Sequence, residues 1–484
     1  MTLARRCFKV TNDIFRGLQK QNMLETQFVT GKKITRAVSM TGLDETAALR
    51  ESPEAPGVEG LLRLWYSDRS KRDVEATRKE FEQLVGLDQL GSPGEGQRSP
   101  QSIEDAQFMA FKRAEVSGWF LGAATNTLKR GNLEQWVAWA FWNATPEDIV
   151  LDDDEQGTEQ AMLKRMVDEA QEEFKLDLAP GLNHDAKCIR LTLDPIQTSY
   201  RPLAFYAVTH VSVKAATAVL MWSLGFQKYS AGSLDYWHRK ANKEASAAHP
   251  KKEPVVFCHG LGVGVLPYIG FLSKIISANV TDEIFCVELP HISMRIKREV
   301  PSAAELVVNI TGMLEAWHIK AAHFIGHSFG SVVMAWVTQK AKHLIVRATF
   351  LDPVVFLLCK SDVAYNFVYR KPTTPAEHLM QYFVSRELYI AHSLGRNFIW
   401  HECILWPEDV GYPQGTFVLL SGLDSIVPAH SVKRYLEYTK AQTSAARGGS
   451  RLDVCFFENC GHAQFLLCKS RMDEVIARAF KTAG

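Results

Sequence analysis

The tightest constraint on this chain is the stretch His323-Phe324-Ile325-Gly326-His327-Ser328-Phe329-Gly330-Ser331. It reads G-x-S-x-G and runs into Val332-Val333-Met334-Ala335-Trp336. The apolar residues on either side predict a buried strand, a sharp turn and a departing helix. Gly326 and Gly330 belong where strand and helix approach too closely for side chains. A serine at such a turn has its oxygen lifted clear of the sheet edge, so Ser328 is the candidate nucleophile and His327 its flanking residue. The competing reading is a glycine-rich turn that merely packs closely; the strand and helix flanks favour the nucleophile.

From Pro254 onward, short apolar runs alternate with helical segments. Strands are predicted at 255–258, 284–289, 323–325, 348–351, 417–420 and 453–457, with a closing helix at 472–483. Strands separated by crossover helices make a mainly parallel, doubly wound α/β sheet over residues 251–484. An insertion at about 353–415 is rich in aromatics, among them Phe356, Tyr365, Phe367, Tyr369, Tyr382, Phe383, Tyr389, Phe398, Trp400 and Trp406. It is predicted to form a cap, whose rings either line an apolar substrate site or only bury the cap against the core.

A serine hydroxyl needs a base within hydrogen-bond reach and a group that orients the base. The loop Glu458-Asn459-Cys460-Gly461-His462-Ala463 follows the last predicted strand and makes His462 the candidate base. Gly422-Leu423-Asp424-Ser425-Ile426-Val427-Pro428 follows the preceding strand and makes Asp424 the candidate acid. Asp352, at the end of the fourth strand, is the competing acid, and is expected instead to hold a strand end or the base of the cap. An oxyanion requires two backbone N–H donors. One falls to Phe329, directly after the serine. The other falls to Leu261 in His259-Gly260-Leu261-Gly262-Val263-Gly264, with Gly260 and Gly262 allowing close approach and His259 opening the loop. That loop has no G-K-[ST] end and no G-x-G-x-x-G, so it is not read as a phosphate cradle. No H-E-x-x-H or comparable ligand spacing occurs, and neither a metal nor a cofactor is expected.

The order of His-Gly loop, G-H-S-F-G elbow, G-L-D-S-I-V-P acid loop and G-H base loop resembles the α/β-hydrolase superfamily over residues 253–484. More narrowly, Val287-Glu288-Leu289-Pro290-His291-Ile292-Ser293-Met294-Arg295 and Asn366-Phe367-Val368-Tyr369-Arg370 are similar to a poorly characterised group of fungal and algal α/β-hydrolases. Those carry a long N-terminal extension with hydrophobic helices. The resemblance implies a Ser–His–Asp serine hydrolase and association with membranes. The polar loop 442–450 departs from the pattern by lengthening the connection between acid and base.

The 484 residues carry a net charge of +1, which gives no basic footprint for nucleic acid. Residues 1–200 are predicted mainly helical, with a linker near 91–100 and an acidic helix start at Asp152-Asp153-Asp154-Glu155. Residues 201–250 form a hydrophobic helix and connector. The run 202–226 is long enough to cross a bilayer, which takes roughly 20 apolar residues. Lys214 and His210, four residues apart near its middle, instead favour a helix lying in a membrane surface, or a buried helix showing that face to water. The nine cysteines show no C-x-x-C and are read as buried thiols in a reducing, intracellular compartment. The N-terminus has no apolar signal region. Its basic start Arg5-Arg6 fits an organelle transit peptide, while Asp13 and Glu25 oppose that reading.

The expected activity is hydrolysis of carboxylic esters, lipid-like or otherwise hydrophobic, through an acyl-enzyme. The alternatives are acyl transfer or thioester cleavage on the same triad, or a non-catalytic ligand receptor or membrane scaffold on the same fold.

Overall fold

A computed structural model describes residues 109, 112–152, 158–241, 252–447 and 452–481. The predicted linker at 91–100, the basic N-terminal segment, most of the acidic run Asp152–Glu155 and part of the polar loop 442–450 lie outside the described residues. The chain divides into two compact units. The first takes in described residues within Met1–Glu134, Asp153–Cys188 and His430–Tyr438; the second takes in Gln135–Asp152, Ile189–Ala429 and Thr439–Gly484.

In the first unit the helix Thr158–Glu173 buries Leu163, Met166, Val167 and Ala170. Polar ties hold the turns around it. Asn132 donates from its amide to the carbonyls of Asn183 at 2.8 Å and Ala186 at 3.0 Å. Arg130 pairs with Asp168 at 2.8 Å.

The second unit is built on one eight-stranded sheet. Its strands are β1 (Gln227–Ala231), β2 (Leu234–Arg239), β3 (Val255–Cys258), β4 (Ile284–Val287), β5 (Ala322–His327), β6 (Ile345–Leu351), β7 (Thr416–Ser421) and β8 (Leu452–Phe457). They lie in the order β1-β2-β4-β3-β5-β6-β7-β8. All neighbours from β4 to β8 are parallel, while β1–β2 and β2–β4 are antiparallel. The central strands β3, β4, β5 and β7 are buried along their whole length, because crossover helices cover both faces. Ile269–Ser277 and Lys469–Ala479 pack against one another, as do Ala303–Ala316 and Gly330–Ala341. This is the mainly parallel, doubly wound architecture expected from the sequence.

Two strands were not legible. The hairpin β1–β2 falls in 201–250, where only a helix and connector are predicted, and it extends the sheet past β4. Gln227–Ala231 reads QKYSA, too polar for a buried strand, and its alternating exposure shows an edge strand with one face in water. A buried charge cluster anchors it. Glu288, just past β4, takes Arg295 at 2.8 Å and Lys228 of β1 at 3.2 Å, and accepts the indole N–H of Trp237 of β2 at 2.7 Å. Burial alone pushes the Glu288 carboxyl up, but Arg295, with Lys228 and Trp237, outweighs it and holds the group at about 2.

The helix Leu203–Ser223 packs onto this unit through Tyr206, Thr217 and Met221. Among the described residues it is the one helix long and apolar enough to cross a membrane, with a mean hydropathy of 1.4 and 11% of that window buried. Lys214 is exposed and His210 half-buried, so the face turned outward is mainly the aliphatic one: Leu203, Val208, Val211 and Val219, ending in Trp222. Between β6 and β7 the chain forms short helices, among them Pro375–Met380, Leu388–Asn397 and Trp400–Cys403. Of the cap aromatics, Phe356, Trp400 and Trp406 are buried, whereas Tyr382 and Phe383 are exposed. None of the eight described cysteines forms a disulfide.

Replacing Arg295 by Met should cost about 3 kcal/mol in chemical denaturation at pH 7, since it leaves the buried Glu288 with Lys228 as its one remaining cation. The folded-state value of Glu288 lies below its ordinary 4.5. Its contribution is therefore present above about pH 4.5 and lost as the pH falls towards 2. The difference between wild type and variant should shrink over that window.

Candidate active site

The turn after β5 has the geometry its glycines predict. A Cβ on Gly330 would lie 2.0 Å from the carbonyl oxygen of Cys258, and one on Gly326 2.7 Å from the carbonyl of Gly330. The helix Gly330–Ala341 thus starts directly against the ends of β3 and β5. Ser328 is held at φ +52°, the left-handed region that a serine rarely enters. Its N–H donates to Leu351 O at 3.0 Å, and its carbonyl accepts from the Ser331 hydroxyl at 2.5 Å. The turn is therefore fixed from both sides.

Ser328, Asp352, Asp424 and His462 follow β5, β6, β7 and β8 respectively, so four adjacent parallel strands deliver them to one carboxyl edge. The His462 Nδ1 lies 2.6 Å from Asp424 Oδ2. Asp424 Oδ1 accepts from the N–H groups of Ile426 at 2.8 Å and Val427 at 3.0 Å, which fixes the carboxylate plane. The acid and base loops are also tied backbone to backbone, through Gly422 N–H to Phe457 O at 2.9 Å and Leu423 N–H to Cys460 O at 2.8 Å. Burial pushes the His462 imidazole down, but the charge and hydrogen bond of Asp424, with the charge of Asp352, outweigh it and hold the group up at about 9.

Asp352 is the acid the sequence ranked second. It is fully buried, and its Oδ2 accepts the N–H of Ala463, the residue after His462, at 2.9 Å. It does hold a strand end, but it also stands beside the acid–base pair. Ligand atoms of Asp352, Asp424 and His462 all lie within 4.8 Å of one another. Three of the four carboxylate oxygens are committed to the hydrogen bonds just described, which makes this an acid–base cluster and not a cation cage.

The loop after β3 has two N–H groups already used. Gly260 N–H donates to the Tyr268 hydroxyl at 3.0 Å, and Gly262 N–H to Ile292 O at 3.0 Å. Among the described residues, the N–H of Leu261 between them has no protein acceptor, and neither has that of Phe329. Gly260 lies against Ser328; a Cβ there would meet Ser328 Cβ and His327 Nδ1, each at 3.0 Å. His259 pins the loop. Its Nε2 accepts from Leu289 N–H at 3.1 Å, so its Nδ1 carries the proton and donates to Gly260 O at 2.8 Å. Burial holds this ring down at about 4, and hence neutral.

Tyr268 and His327 form a link that the sequence does not reveal. The Tyr268 oxygen accepts from Gly260 N–H and donates its own proton to His327 Nδ1 at 2.7 Å. Burial keeps His327 well below its usual value. The neutral ring therefore carries its proton on Nε2, which lies 4.0 Å from Asp352 Oδ2. The two rings His327 and His462 lie 5.1 Å apart. Nothing in the spacing of a tyrosine eight residues past a glycine would single out Tyr268.

The cap reaches the site from two directions. Phe398 packs on Phe329 at 6.3 Å between ring centroids. Asn366 donates to Ile426 O at 3.1 Å, and Arg370 to Ser425 O at 2.9 Å, gripping the loop that carries Asp424.

This strand order, with a strained serine after β5, an acid after β7 and a histidine after β8, defines the α/β-hydrolase fold. No family model matches the chain, and no curated protein does. Among solved structures it is similar to a bacterial membrane phospholipase A (15% identity, 56% of this chain and 94% of that one, TM-score 0.38). It is also similar to the carboxylesterase CesB of Bacillus subtilis (10% identity, 56% and 97%, TM-score 0.35). A third likeness is to the 2-hydroxy-6-oxo-6-phenylhexa-2,4-dienoate hydrolase of Rhodococcus sp. strain RHA1 (17% identity, 53% and 98%, TM-score 0.35).

Tyr268→Phe removes the hydrogen bonds to Gly260 and His327 while keeping the ring. It should destabilise the chain by about 1–3 kcal/mol, because a buried N–H and a buried ring nitrogen lose their partner. Thermal unfolding of the variant beside wild type measures this.

Proposed function

We propose that the chain is a serine hydrolase of carboxylic esters with a hydrophobic, lipid-like acyl or alcohol part. The observation that carries this reading is the His462–Asp424 pair at 2.6 Å, on the same sheet edge as a serine strained into φ +52°. In this reading Ser328 Oγ attacks the ester carbonyl carbon while His462 takes the hydroxyl proton. The C–O bond to the alcohol then breaks as His462 returns that proton to the leaving oxygen. Water, deprotonated by His462, attacks the acyl-serine; the C–Oγ bond then breaks as His462 gives that proton to the Ser328 oxygen, which frees the acid and restores the serine. Asp424 holds the imidazole orientation and stabilises the imidazolium. Leu261 and Phe329 supply the N–H groups for the oxyanion, a role supported by the lack of any other acceptor for them and by the prior use of the Gly260 and Gly262 N–H groups.

A lipid-like substrate is supported by the surface beside the cap. The outward face of Leu203–Ser223 presents Val211, Val219 and Trp222 at 66%, 64% and 75% exposure. Phe205 of this helix packs on the exposed cap residue Phe383 at 6.3 Å between centroids. An apolar helix face lying flat, ending in an exposed tryptophan, suits the boundary of a lipid layer, with the cap brought to the same surface. On this reading the chain works as a membrane-associated member of the fungal and algal group whose motifs it resembles.

Ser328→Ala should abolish hydrolysis of p-nitrophenyl acyl esters, by at least about 10³-fold, while circular dichroism and Tm stay those of wild type. Undiminished turnover would exclude this reading. Products formed with added alcohols separate hydrolysis from transfer to an acceptor. Because the base must be neutral and His462 sits at about 9, turnover in wild type should climb from pH 6 towards 9. Val211→Asp with Trp222→Ala should weaken sedimentation with phosphatidylcholine–phosphatidylglycerol vesicles by about tenfold or more. Equal sedimentation of variant and wild type would remove the lipid-surface part of the proposal.

A further inference from the structure

We infer that Asp352 is a second acid for His462: a positioning residue that shares with Asp424 the stabilisation of the protonated imidazole and holds His462 in place through its own loop. The inference rests on the proposed Ser328–His462–Asp424 chemistry and adds a carboxylate to it.

Three geometric facts carry it. Asp352 occupies the strand end between those that deliver Ser328 and Asp424. One of its oxygens accepts the N–H of Ala463 at 2.9 Å, and Ala463 is held at φ +63°. The carboxylate thereby fixes the backbone turn from which His462 projects. Ligand atoms of Asp352, Asp424 and His462 lie within 4.8 Å of one another, a range at which a buried opposite charge is felt strongly.

A purely structural strand-end cap would have no use for the rest of the arrangement. By distance and angle Asp352 Oδ1 makes no hydrogen bond among the described residues, although the Ser421 hydroxyl lies close enough to lower the carboxyl; Nε2 of His327, 4.0 Å from Asp352 Oδ2, likewise makes none. Leaving a carboxylate in this state costs stability that an asparagine or serine cap would not. Asp352 is itself held at φ +43°. A sparsely hydrogen-bonded buried charge and local strain at one residue mark a place kept for function at the expense of stability.

The groups facing Asp352 are His327 before Ser328, the Ser421 hydroxyl at the end of β7, Asp424 after it, His462 and Ala463 after β8, and, at longer range, Tyr268 and Cys460. Only His462 among them can become cationic in the working range, since His327 is kept neutral. Burial, and then the charge of Asp424, raise the Asp352 carboxyl to about 6, so it is charged when His462 acts at neutral pH and above. The proton itself passes between Ser328, His462 and the substrate; Asp352 neither gives nor takes it.

The test is the rate of Ser328 labelling by a fluorophosphonate, followed from pH 5 to 10 in wild type, Asp352→Asn, Asp424→Asn and the double variant. Asparagine keeps an oxygen for the Ala463 N–H and removes only the charge. In Asp352→Asn the acidic limb of the profile should move down by about one pH unit, because the imidazolium has lost one of two carboxylates. In the Asp424→Asn background the same change should slow labelling by at least about tenfold, so the two effects do not multiply. An unmoved limb together with effects that multiply would overturn the inference and leave Asp352 a strand-end cap. If Asp352→Asn does not fold, the wild-type profile answers: a second carboxylate gives a shoulder near pH 6, whereas a single-proton limb contradicts it. Failure of wild type itself to label at Ser328 would instead refute the proposed hydrolase chemistry, and is distinguishable from every outcome above.

Discussion

The close approach of the helix Gly330–Ala341 to the end of β3 is what the rest of the site depends on. With a Cβ at Gly330 only 2.0 Å from the Cys258 carbonyl, no other residue fits without parting strand and helix. The contact leaves the chain one residue in which to turn, and Ser328 takes it up at φ +52°. The same contact brings the β3 loop against the serine, so the requirement that puts glycine at 330 also puts it at 260. A methyl group at Gly260 would meet the serine Cβ and the His327 ring. Candidate nucleophile and candidate oxyanion donors are thus set by one steric condition, and the hydrogen bonds from Ser328 N–H to β6 and from Ser331 to the Ser328 carbonyl only secure it.

Electrostatics then sorts the four histidines around the serine. His259, His291 and His327 are buried without a carboxylate in hydrogen-bond contact, and burial drives each of them to the neutral form. His462 alone has Asp424 at 2.6 Å, and it alone is raised. The fold thus makes one histidine basic and keeps its neighbours neutral, two of them, His259 and His327, as hydrogen-bonding struts. The Glu288 cluster applies the same rule at the carboxyl end of β4, where two cations make a buried carboxylate stable as an anion and bolt the edge hairpin to the parallel sheet.

Much of this was legible in the sequence because the constraints are local. G-H-S-F-G between two apolar runs specifies strand, turn and helix within a dozen residues. Asp424, two residues past Gly422, and His462, directly after Gly461, were readable as polar residues in loops that follow late strands. Two kinds of feature escaped. The hairpin β1–β2 has an edge strand, and a half-exposed strand lacks the apolar run that marks a buried one. The partnership of Tyr268, His327 and Asp352 joins residues from three different parts of the chain, with separations that carry no pattern. On Leu203–Ser223 the half-buried His210 and exposed Lys214 accompany a face that is mostly aliphatic, a detail their four-residue spacing does not give.

The central claim is that the turn after β5 holds an activated serine. Its most direct measurement is peptide mapping by mass spectrometry of the wild-type chain after reaction with a fluorophosphonate. The account predicts a single stoichiometric adduct on the peptide containing Ser328, lost on prior heat unfolding. A folded chain that takes no adduct, or takes it on another serine, would contradict it.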